Sequence, residues 1–169
     1  MKYRFWSVIF LFVVVVGSVV LAVCFRNSKR LKEMSPEVMD DVREAIVRHY
    51  FPRELSEKLK EGGHLFFLSF DNRADPSENF MRKIRDIDYV VIKKYSDCES
   101  QEDGTVIDRR TRKRGAVMSM VDINRVSAVE IIAELWTYSG PLAGRGDKLC
   151  LKFESGRWKV EKMETIAVS

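Results

Sequence analysis

Histidine is almost missing from this chain: among 169 residues only His49 and His64 occur. Their spacing fits no metal site, and neither stands at a recognisable distance from a Ser or Cys partner, so no metal centre and no histidine-activated nucleophile is expected. Internal repeats and low-complexity tracts are also lacking. So is any charge imbalance over most of the length. Of the 29 Lys and Arg, six lie in residues 1–34, leaving 23; of the 25 acids only Glu33 lies there, leaving 24. The net charge of +4 thus belongs chiefly to the N-terminal segment. That removes the compositional reason to expect nucleic acid as a partner.

What residues 5–25 lack is charge of either sign. Phe5 to Phe25 reads FWSVIFLFVVVVGSVVLAVCF, broken only by Ser7, Gly17 and Ser18. A helix of this length rises about 30 Å, the thickness of a hydrocarbon core. With no polar stripe for water, a membrane span over about 5–25 is expected. A cleaved signal would have a shorter apolar run and a small-residue site, whereas this run ends in Val23-Cys24-Phe25-Arg26. A lipoprotein box ending at Cys24 would need a small residue where Val23 stands. A retained signal-anchor is therefore preferred. Lys2 and Arg4 hold the N-terminus inside, while Arg26, Lys29, Arg30 and Lys32 pull the other way. The expectation is a single-pass membrane protein with an extracytoplasmic domain, in the periplasm or at the cell surface.

The division follows as an anchor and linker over 1–34 and one aqueous domain over 35–169. Ser35, Pro36 and Glu37 open a helix, with Val38, Val42, Ala45, Ile46 and His49 on one face. Pro52 stops it, and Arg53 to Glu61 predicts a short second helix ended by Gly62-Gly63. Leu65 to Phe70 predicts a strand. Asp75-Pro76-Ser77-Glu78 predicts a capped helix to about Arg85. Strands are then expected over Asp88–Tyr95, Thr105–Asp108, Gly115–Ile123, Ser127–Tyr138, Lys148–Phe153 and Trp158–Ile166, the last two joined by a hairpin over Glu154–Arg157. Helices first and an antiparallel meander after them predict an α+β fold, two or three helices packed on a curved antiparallel sheet.

The stretch Tyr138-Ser139-Gly140-Pro141-Leu142-Ala143-Gly144, then Gly156-Arg157-Trp158-Lys159-Val160 closing at Ser169, resembles a group of uncharacterised bacterial membrane-anchored or secreted domains. The layout resembles the cystatin-like, nuclear transport factor 2-like cone, and Phe70–Ser77 and Tyr95–Cys98 resemble it too. The likeness covers about two-thirds of the chain on structural motifs. It implies a final hairpin that buries its Trp. It chooses no function, because that fold hosts enzymes, ligand binders and interaction modules alike.

Candidate chemistry is sparse. Pocket enzymes of this fold class use an acid inside the cone, for which Asp71, Glu130 and Glu134 are the carboxylates available. Glu130 and Glu134, four apart on a strand, share one face, for which the solvated face of an ordinary amphipathic strand is the simpler reading. Trp136, Tyr138, Tyr95 and His64 are the candidate ligand or partner face. Cys98 and Cys150 are a possible disulfide if their strands adjoin, against the alternative of two independent thiols. The basic turn Arg109–Arg114 follows an acidic run, Asp97, Glu99, Glu102 and Asp103, and mutual screening is the simpler account. Arg145-Gly146-Asp147 spells a cell-adhesion tripeptide, read here as a turn. No cofactor is expected. The functional expectation is a membrane-tethered, non-catalytic domain binding a protein or small ligand. The alternatives are a small pocket enzyme of the ketosteroid-isomerase kind with a carboxylate base, and a scaffold using the sheet face near Trp136.

Overall fold

Ser35 starts the first helix as an N-cap, its Oγ accepting from the Val38 amide at 3.4 Å, with Pro36 at the first helical position. The computed structural model in which this is seen describes residues 34–51, 64–141 and 143–169. Helix α1 (Pro36–Tyr50) buries Val42, Ile46 and Val47 and touches the last strand of the sheet. Its end sets Phe51 edge-on against Phe66 at 4.7 Å between ring centroids. Arg48 and His49 fall in its last turn, where cations suit the helix dipole. His49 is exposed there, not on the buried side.

Among the described residues eight strands follow: β1 (Leu65–Ser69), β2 (Val91–Lys94), β3 (Cys98–Ser100), β4 (Val106–Asp108), β5 (Ala116–Arg125), β6 (Glu130–Tyr138), β7 (Gly144–Glu154) and β8 (Arg157–Val168). A short helix, α2 (Glu78–Lys83), stands between β1 and β2. Six strands form one sheet in the order β2-β1-β5-β6-β7-β8, and β3 with β4 makes a second, small one. β1 is parallel to both β2 and β5, while β5 through β8 is an antiparallel meander. The β7–β8 turn carries Ser155 and Gly156 with φ of 51° and 78°, the paired left-handed residues that a tight hairpin requires.

The alternation of each strand decides what lies on either side. Met118, Met120, Ile131, Ala133, Leu135, Leu149 and Leu151 are buried on the side facing the helices, with Phe80 of α2 and Ile46 of α1. β1 has no polar side. Phe66 lies against Phe51, while Leu65 and Phe67 pack with Cys98, Val106, Tyr95 and Val117 under the small sheet. A strand buried on both faces reads as a continuous apolar run, which is why Leu65–Leu68 shows no alternation. Lys93 of β2 bonds the Asp108 carboxylate, tying the small sheet to the large one.

Several expectations are corrected. The fold is mostly sheet, not helices on an antiparallel sheet: among the described residues there are two α-helices, and the main sheet is mixed because β1 pairs in parallel on both edges. The second α-helix starts at Glu78, capped by the Ser77 Oγ that accepts from the Phe80 amide at 3.1 Å. Asp75 instead accepts from the Ser96 amide at 2.8 Å. The helix proposed for Arg53–Glu61 lies outside the described residues.

The single-pass membrane expectation, with its extracytoplasmic placement, is corrected as well. Among the described residues no helix is long and apolar enough to cross a membrane. The longest, α1, has 15 residues and carries Asp41, Arg43, Glu44 and Arg48; it rises only about 22 Å, short of a hydrocarbon core. The span assigned to residues 5–25 lies outside the described residues. Ser35–Ser169 clusters as one unit.

Candidate interaction face of the sheet

The small sheet covers the outer side of the main sheet over β1 and the start of β5, and its β3–β4 turn reaches Tyr138 at the end of β6; among the described residues the rest of the outer side of β5 to β8 carries no second layer. Register places three rows of side chains there. Ser119, Trp136, Gly146 and Ala167 form one; Val121, Glu134, Lys148 and Glu164 the next; Asn124, Ile132, Cys150 and Lys162 the third. Trp136 and Tyr138 are two apart on β6 and so point to this side together, each 38% exposed.

Both aromatics stand opposite glycines, Trp136 facing Gly146 and Tyr138 facing Gly144. A Cβ built on Gly146 would meet three consecutive ring carbons of Trp136, Cη2, Cζ3 and Cε3, at 2.8, 2.8 and 3.0 Å. Three near-equal distances mean that the point lies over the ring, not beside its edge. The indole therefore lies face-down on the β7 backbone, and its other face looks outward. Its Nε1–H donates to Glu134 Oε2 at 3.3 Å, which fixes the ring from the side. Tyr138 is fixed at its tip: its hydroxyl donates to the Gly104 carbonyl at 3.0 Å, in the turn between β3 and β4.

The other candidates divide between the two sides of the sheet. Tyr95 is half-buried beneath the small sheet, on the same side as Trp136. His64 stacks beside Phe66 at 6.5 Å, on the helix side, and is exposed. Glu130 and Glu134 share the outer face of β6, opposite Lys152 and Lys148 of β7. Asp71 stands apart in a 3-10 turn after β1, where Arg43 holds it at 2.9 Å. The cavities beside the β3–β4 turn (680 Å³), between α1 and the β7–β8 hairpin (350 Å³) and behind α2 (380 Å³) are lined by none of these three acids.

Cys98 and Cys150 are free thiols. Cys98 lies under the small sheet against β1, whereas Cys150 sits on β7, three strands along from β1. Three strand spacings are about 14 Å, beyond the ~7 Å Cα separation that a disulfide tolerates. Burial pushes the Cys98 thiol up.

Two buried carboxylates had no signal in the sequence. Asp108, 1% exposed, accepts from Lys93, from the amides of Arg110 and Thr111 at 3.0 and 2.6 Å, and from the Thr111 hydroxyl at 3.0 Å. These bonds shape the basic turn. Within it Arg109 Nε donates to the Cys98 carbonyl at 2.8 Å, and Arg112 pairs with Glu99, so the acidic run does meet the basic one. Asp147, fully buried, accepts from Arg145 Nε at 2.8 Å and from Thr165 Oγ1 at 2.8 Å. Arg145-Gly146-Asp147 is thus strand, not turn, and its aspartate is closed to a receptor.

Among the described residues no group of three or more His, Cys, Asp or Glu side chains could hold a metal ion. Comparison with protein-family models, curated proteins and solved structures finds no match.

Proposed function

We propose that this chain is a non-catalytic binding domain that takes a protein or small ligand on the outer face of β5 to β8, with Trp136 as its anchor. The observation that carries this is the indole laid flat on Gly146 with one face open, in a row whose other members, Ser119 and Ala167, are small. A rigid, pre-positioned tryptophan loses little freedom on binding and offers a large contact, as the dominant residues of interfaces do. Around it, Glu134, Lys148 and Glu164 supply a mixed polar rim. The acids proposed for an enzyme do not converge: Asp71 is held by Arg43, and Glu130 and Glu134 lie on the open face.

A photo-reactive amino acid in place of Ser119, one strand from Trp136, tests this in cells. A discrete adduct, resolved by mass spectrometry and lost on Trp136→Ala, is the expected result; the same residue at Glu102, in the β3–β4 turn, should give none. Circular dichroism must show that Trp136→Ala keeps its sheet. Equal labelling from both positions, or an adduct indifferent to Trp136, would sink the reading.

A further inference from the structure

Among the described residues β8 is the last strand of the sheet and its long free edge; β2, at the opposite edge, has four residues against twelve. One side of β8 pairs with β7, and no described strand pairs with the other. Glu161 to Val168 are all exposed, including the apolar Met163 (38%), Ile166 (46%) and Val168 (77%). A bare edge of this kind is a template for another strand unless something discourages it.

The discouragement in β8 is selective. Its register against β7 skips Glu161 and Ile166, so a bulge sits at each. Between them runs Lys162-Met163-Glu164-Thr165, in regular pairing with Cys150, Leu149, Lys148 and Asp147. Bulges and charges repel an arbitrary strand, but these charges have opposite sign on either side of Met163. One partner turns that pattern to advantage, namely a second β8 laid antiparallel with Met163 opposite Met163. Counting outward from that centre, Lys162 of each copy meets Glu164 of the other, on the same face of the joined sheet. Farther out, Val160 comes level with Ile166 and Trp158 with Val168.

We infer that β8 pairs with β8 of a second copy about a two-fold axis through Met163, joining two six-stranded sheets into one. The contact is isologous, so it closes at a dimer. Its ladder uses the β8 edge; of the polar residues around Trp136 it takes up only Glu164, and Lys162→Glu, which leaves that rim intact, tests the pairing separately from the ligand reading.

Sedimentation velocity on the full chain, in a density-matched detergent that shields its apolar N-terminal run, tests the pairing. The parent should sediment as a dimer that dissociates on dilution. Lys162→Glu places acid opposite acid twice and Glu164→Lys places base opposite base twice, so either variant should weaken association at least tenfold. The double exchange should restore it. Mixing the two single variants should also restore it, as a heterodimer, because each strand then meets its opposite. This last result separates the proposal from loss of the Lys162–Glu164 contact within one chain, 2.5 Å in length, which mixing cannot repair. A monomeric parent, single variants that associate as the parent does, or a mixture that stays as dissociated as its components would each overturn it.

Discussion

The benzo ring of Trp136 rests on the Cα of Gly146 across the β6–β7 ladder, close enough that a methyl group added to the glycine would sit 2.8 Å from two ring carbons. Gly146 is ordinary extended strand without positive φ, so the contact, not the backbone, is what calls for glycine. A large aromatic opposite a strand glycine covers main chain that would otherwise be bare.

Gly146→Ala should therefore displace the indole and break its bond to Glu134. The expected cost is about 1 kcal/mol, at the low end for overpacking because an exposed ring can swing outward. In a Trp136→Ala background the same substitution should cost nothing or stabilise, since alanine suits a strand better than glycine. Urea unfolding of the four proteins closes the cycle, and the indole N–H resonance of Trp136 reports the ring directly. Equal costs in both backgrounds would mean that the ring is not what excludes a side chain.

Arg43 supports the start of the 3-10 turn after β1. Its guanidinium lies 4.0 Å from the Phe70 ring centroid, and its Nη2 donates to Asp71 at 2.9 Å. Asp71 is half exposed, so its share as an ion pair is small, within about 1 kcal/mol. The cation over the ring is worth about 1–2 kcal/mol. Arg43→Ala should cost more than Asp71→Asn in urea unfolding, and Arg43→Lys should recover little, because a compact, strongly hydrated ammonium replaces the guanidinium over the ring poorly. A larger loss from Asp71→Asn would reverse the assignment.

Legibility in the sequence followed the range of the interactions. Ser35-Pro36 and Ser155-Gly156 act within a few residues, and both the helix start and the hairpin lie where those residues place them. Direction of pairing is another matter. Leu65–Leu68 is apolar throughout because it is covered on both faces, and such a run does not disclose whether its partners, Val91–Lys94 and Ala116–Ser119, run parallel. The cap at Ser77 competed with Asp75, and the bond from Ser96, 21 residues away, decided it. Glu130 and Glu134 on one face follow from period two alone. The indole over Gly146 needed the register between β6 and β7; its only trace in the sequence is the matched spacing of Trp136 with Tyr138 and of Gly144 with Gly146.

The two thiols of the described residues should differ in reactivity. Cys98 is buried and its thiol is pushed up by that burial, whereas Cys150 is half-buried on the outer face. Iodoacetamide labelling of the native protein at pH 8, read by peptide mass spectrometry, should modify Cys150 first and Cys98 only as the protein unfolds. Without reductant no Cys98–Cys150 peptide should be found. A crosslinked peptide would place β3 much nearer β7 than the sheet order allows.

Asp108 gives the protein a pH dependence of definite sign. Its carboxylate is held well below the usual carboxylate range, first by the bond from Lys93 and then by the amide of Thr111. In the unfolded chain an aspartate titrates near about 3.9. A group whose folded value is the lower one contributes stability above the unfolded value and loses it as pH falls towards the folded one. Asp108→Asn should therefore lower the urea midpoint most at pH 7, little less at pH 5, and clearly less by pH 3. Carboxylates shared by both proteins cancel in that difference. Lys93→Met combined with Asp108→Asn should recover part of the loss at pH 7, since it removes the cation left behind. A difference between wild type and Asp108→Asn that stays constant from pH 7 to pH 3 would show that the turn's amides hold the side chain as well in its neutral form, and that Lys93 is not what depresses it.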